Sequence, residues 1–79
     1  MNFNDYLYLT EAMTQKKFTQ NHEVALDKTI AQLKQKHISK LSKDDLFDFV
    51  GNWIEDADDV EIVTMRIIQD QKKYLLKVG

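Results

Sequence analysis

The chain has 79 residues, no cysteine, no proline, 43% hydrophobic residues and a formal net charge of −2. Disulfides and thiolate zinc sites are excluded, and no apolar run approaches the roughly 20 residues that a membrane helix needs. The hydrophobic fraction and eight aromatics are too high for a disordered tail, so residues 1–79 are expected to form one small α+β domain.

Residues 4–16 read as a first helix, with Asn4 as cap, Asp5 at the positive end, and Tyr6, Leu9 and Met13 one turn apart. A strand rival exists in the alternation of Tyr6 and Tyr8 with Leu7 and Leu9; helical propensity over 11–17 favours the helix. Residues 22–37 read as a second helix capped by Asn21. Leu26, Ile30, Leu33 and His37 form its stripe, with Val24 and Ala31 at the flanks. Ser42 is the expected cap of a third helix, 43–56, with Asp44 and Asp45 in its first turn and Leu46, Val50, Trp53 and Ala57 on its buried face. Phe47, Phe49 and Ile54 widen that face. Gly51 would cost it roughly 1 kcal/mol against alanine, which points either to a tight helix crossing or to a break at Gly51-Asn52.

Six of the nine residues in 60–68, "VEIVTMRII", are β-branched, and β-branched side chains suit strands. With 72–78 they predict a C-terminal β-hairpin. A helical rival places Val60, Val63, Ile67, Tyr74 and Val78 on one face. The hairpin's outer edge would offer unpaired backbone groups through which two copies could pair as a homodimer.

Charge is segregated along the chain. Residues 16–43 carry seven lysines against Glu23 and Asp27; residues 44–61 carry eight acids and no base; residues 62–79 carry four bases and Asp70. Such blocks ordinarily solvate the surface and attract one another within the fold; the functional alternative is an acidic face that docks a basic protein partner, with Asp56, Asp58, Asp59 and Glu61 as its residues and Trp53 as an interface anchor. The same acids do not match a calcium loop, since Glu61 stands where counting from Asp56 requires glycine. No nucleophile elbow or phosphate-cradling glycine loop is present. His22 and His37 are too far apart in sequence to form a local metal pair. The expectation is therefore a non-enzymatic protein with no metal and no cofactor. The lysines of 28–43 sit on an amphipathic pattern with only one arginine in the chain, Arg66, which speaks against a nucleic-acid reader.

Residues 1–12, "MNFNDYLYLTEA", carry the aromatic-aliphatic pair Tyr8-Leu9 and the run Leu9-Thr10-Glu11 before the small residue Ala12. This stretch resembles the capsid-targeting leader of internal head proteins in T-even-type tailed phages, in which a prohead protease cuts after the glutamate. The leader here is one residue longer, and Asn2 stands where a lysine would be expected. The resemblance implies a removable leader at 1–11, a processing site at Leu9, Glu11 and Ala12, and a formally neutral remainder of eleven bases and eleven acids. It also implies a small phage-type protein of the host cytoplasm or the virion. The rival expectations are an intracellular inhibitor or adaptor that uses the acidic face or the hairpin edge, and a nucleic-acid-associated accessory protein.

Overall fold

The computed structural model describes residues 18–79, so the expected helix 4–16 and the Leu9, Glu11 and Ala12 site lie outside the described residues. Within 18–79 the order is helix α1 (Gln20–Gln35), strand β1 (Lys40–Leu41), helix α2 (Lys43–Gly51), helix α3 (Ala57–Gln69) and strand β2 (Lys77–Val78). Each helix packs on the other two. No described helix is long and apolar enough to cross a membrane.

Helix α1 begins two residues earlier than a cap at Asn21 implies. Thr19 is its N-cap and completes a capping box in which His22 takes the place usually held by Glu or Gln. Its buried face is Ala25, Leu26, Thr29, Ile30 and Leu33, whereas Val24 and Ala31 face solvent. The helix closes through a Schellman motif: the Ile38 N–H donates to Leu33 O (2.9 Å) and the His37 N–H to Lys34 O (3.1 Å). His37, expected on the buried stripe, is instead exposed at φ 57°, the left-handed turn position that ends the helix.

Helix α2 starts at Ser42 as expected; the Ser42 hydroxyl accepts from the Asp45 N–H at 3.1 Å. Leu46 and Val50 are fully buried. The helix does not run to residue 56. It stops at Gly51, and a Cβ built there would meet nothing within 4 Å, so no tight crossing explains the glycine. Low helix propensity at Gly51 and the turn that follows, where the Trp53 N–H donates to Val50 O, are the physical reasons for the break. Trp53 and Ala57, expected on the buried face, are therefore exposed.

The expected hairpin 60–68/72–78 is not formed. Residues 60–68 lie inside α3, where Val60, Val63, Thr64 and Ile67 make an i, i+3, i+4, i+7 buried stripe. Each β-branched residue costs at most about 0.7 kcal/mol of helix propensity. Fully burying a valine or isoleucine returns about 1.5–3 kcal/mol, so packing overrides propensity. Of the second expected strand only Lys77–Val78 is extended, and it pairs parallel with Lys40–Leu41 rather than antiparallel with 60–68. With the hairpin goes the edge through which a homodimer was expected.

The segment joining α3 to β2 closes with a second Schellman-type turn. The Leu76 N–H donates to Gln71 O (2.8 Å) and the Leu75 N–H to Lys72 O (3.2 Å), with Leu75 at φ 58°. The Gln71 side chain pins the strand: its Oε1 accepts from the Val78 N–H (3.0 Å) and its Nε2 donates to Ile68 O (3.1 Å). A left-handed backbone costs a residue with a Cβ about 1–2 kcal/mol, and both turns bear that cost where glycine is the usual occupant.

The core is Ala25, Leu26, Ile30 and Leu33 of α1, Leu41, Leu46 and Val50, and Val60, Val63 and Ile67 of α3. Two threonines are buried within it. Thr29 Oγ1 donates back to Ala25 O at 2.8 Å, whereas Thr64 Oγ1 has no hydrogen-bond partner among the described residues. A buried hydroxyl without a partner is a desolvation loss. Thr64→Val, which keeps the shape and removes the hydroxyl, is predicted to stabilise the fold by about 1 kcal/mol, seen as a melting temperature higher by about 4–8 °C; an unchanged or lower value would show that the hydroxyl is satisfied.

Candidate functional site

The acidic run 55–61 is divided by the fold into residues that build and residues that are free. Asp56 is the N-cap of α3; its Oδ1 accepts from the N–H groups of Asp58 (2.9 Å) and Asp59 (3.3 Å). The acids expected to end a helix thus begin one, where the dipole favours them. Asp59 turns inward and its Oδ1 lies 2.8 Å from Nε2 of the buried His22. The Thr19 backbone N–H, which can only donate, points at His22 Nδ1 at 2.9 Å. The ring proton therefore sits on Nε2 and is donated to the Asp59 carboxylate. The Phe18 ring lies 5.5 Å from the His22 ring, tilted by 36°, and the Arg66 guanidinium lies 4.2 Å from the Phe18 centroid. This cluster joins the first turns of α1 and α3.

Asp58 and Glu61 remain exposed. Sequence reasoning missed their companions on α2: Asp44, Asp45 and Asp48 are exposed as well, on the side opposite Leu46 and Val50. Helical spacing held that signal, since 44, 45 and 48 share a face at i, i+1 and i+4. None of Asp44, Asp45, Asp48, Glu55, Asp58 or Glu61 has a lysine or arginine within 4.0 Å among the described residues. Among the described residues, no group of three or more His, Asp or Glu is placed to hold a metal ion.

Trp53 is neither core nor free. It is 41% exposed in the turn between α2 and α3, lying on the side of α1. Its Nε1–H donates to Gln32 Oε1 (3.1 Å), and Lys28 Nζ stands 5.3 Å from the ring. Gln32 and Lys28 are one turn apart, so α1 presents a ready clamp for the indole. An aromatic side chain held in one orientation while still open to solvent loses little entropy on binding.

No protein-family model, curated protein or solved structure matches this chain.

The division of labour predicts different costs for neighbouring acids. Asp56→Ala should destabilise the fold by about 1 kcal/mol through loss of the cap, whereas Glu61→Gln should change stability by no more than about 0.5 kcal/mol. Urea denaturation of both variants checks this; equal effects would contradict the assignment of Asp56 as a structural acid and Glu61 as a surface one.

Proposed function

We propose that the chain is a small non-enzymatic protein that acts by binding a protein partner through the acidic surface of α2 and the start of α3, with Trp53 as its anchoring side chain. The observation that supports the reading is the unneutralised state of that surface: Asp44, Asp45, Asp48, Glu55, Asp58 and Glu61 are exposed, with no cation against them among the described residues. Charge left uncompensated within a fold steers association with an oppositely charged partner and suppresses wrong ones. The chemistry of the partner is thus a basic surface with a recess for an indole.

The setting we propose is that of a phage-type protein of the infected cell or the virion, on the strength of the Leu9-Thr10-Glu11-Ala12 pattern. An intracellular inhibitor or adaptor would use the same acidic surface, and the two are separated by processing. Incubation of the full chain with the prohead protease of a T-even-type phage is expected to release residues 1–11 by a single cut, and Glu11→Gln should block it. Mass spectrometry reads the outcome, and an intact wild-type chain would remove the virion setting. The binding surface has its own test. Capture of a basic partner from infected-cell extract should weaken with added salt and fall at least tenfold in the Asp44→Lys/Asp48→Lys/Glu61→Lys variant. Equal capture by that variant would refute the acidic-surface reading.

A further inference from the structure

Six of the lysines are carried by two neighbouring segments. A groove of about 270 Å³ opens at the C-terminal end of α1, walled on one side by His37, Ile38 and Ser39 and on the other by Tyr74, Leu75 and Leu76, with Ile30 and Leu33 at its base. The two walls are the two Schellman turns, locked together where the Lys77 N–H donates to Ser39 O at 2.8 Å. The segments that carry them, 34–40 and 72–77, hold Lys34, Lys36, Lys40, Lys72, Lys73 and Lys77, all exposed, and no acid.

Leu75 is the side chain that needs a reason. It is 83% exposed, the most exposed of the large hydrophobic residues among those described. It also occupies a left-handed backbone position, at φ 58°, that glycine fits without strain. Its side chain is absent from the set that packs on the core, although its neighbours Tyr74 and Leu76 both belong to that set. A leucine that is strained and solvated in the free protein is accounted for by contacts made elsewhere. Sparsely populated backbone states of this kind gather at ligand clamps.

We infer that this groove is a second binding site, and that it takes an acidic peptide segment of another protein, which inserts an aliphatic or aromatic side chain beside Leu75 while its carboxylates face the lysines. Chemistry selects that occupant and size permits it. The volume is at the small end of the roughly 300–1,000 Å³ of small-molecule clefts, and it has room for an inserted side chain. Single-stranded nucleic acid is held by aromatic platforms and basic grooves, but here the prominent side chain is aliphatic, Tyr74 is half-buried, and neither segment has an arginine. An acidic amphipathic segment answers both the six lysines and the exposed leucine. The site is distinct from the acidic surface of α2 and α3, so each stands or falls separately.

Leu75→Gly is the informative variant, because it removes the side chain and fits the backbone. The probe is a fluorescein-labelled amphipathic peptide of glutamate, leucine and alanine, followed by fluorescence anisotropy against the full chain. Its companions are the same peptide with serine for leucine and a single-stranded DNA oligonucleotide of equal charge. The leucine peptide is expected to bind at least tenfold more tightly than either companion. Leu75→Gly should weaken it at least tenfold while leaving the melting temperature unchanged or a few degrees higher. The inference is overturned by any of the following: no peptide binding up to about 1 mM; equal binding by Leu75→Gly; tighter binding of the oligonucleotide; a lower melting temperature in Leu75→Gly, which would make the leucine a packing residue; or a dimer of the free protein, by light scattering, that Leu75→Gly dissociates, which would give the groove to a second copy.

Discussion

His22 is buried between the first turns of α1 and α3, and both of its ring nitrogens are committed: Nδ1 accepts the Thr19 N–H that closes the capping box of α1, and Nε2–H is donated to Asp59 in the first turn of α3. A ring that serves two helices sets their relative position as well as their starting points. The α1 stripe then meets Val60, Val63 and Ile67, while α2 fills the remaining side with Leu46 and Val50. In a chain this short, with ten buried apolar side chains in the core among the described residues, one polar node of this kind carries more weight than it would in a larger domain. Phe18 and Arg66 cover the node from outside.

The same node explains how the acidic run is used. Eight acids in 44–61 would repel one another if all were free. Asp56 is spent on a cap and Asp59 on His22, and both lie at a helix N-terminus where negative charge is favoured. The remaining acids stay at the surface. Six lysines, Lys34, Lys36, Lys40, Lys72, Lys73 and Lys77, meanwhile lie on the segments where α1 ends and β2 begins. The exposed acids of α2 and the start of α3 and the lysines around the groove thus lie on different elements, and the two proposed binding modes follow that division.

Much of the helical part was legible in the residues themselves. Leu26, Ile30 and Leu33, Ser42 as a cap, and Leu46 with Val50 all follow from spacing and capping chemistry, and each holds in the structure. The third helix was misread because β-branched density in 60–68 outweighed the i, i+3, i+4, i+7 pattern running through the same residues. The correct signal was present: Asp56 ahead of Asp58 and Asp59 marks a helix start as plainly as Ser42 ahead of Asp44 and Asp45. The cap of α1 was hidden for another reason. A histidine in the capping-box position is recognisable only once its second nitrogen has a partner, and Asp59 is 37 residues away. Asp58, Glu61 and Trp53 were singled out from charge and residue type, and all three are exposed in the structure. The basic groove was not singled out, because its walls are joined by long-range backbone hydrogen bonds and its key feature is a backbone angle.

The most direct test of this account is a double-mutant cycle on His22 and Asp59, measured by urea denaturation of His22→Ala, Asp59→Ala and the double variant. The His22–Asp59 bond predicts non-additive losses, with a coupling energy of about 1 kcal/mol or more, the double variant being little worse than His22→Ala alone. Additive losses would contradict the node as the element that joins the starts of α1 and α3.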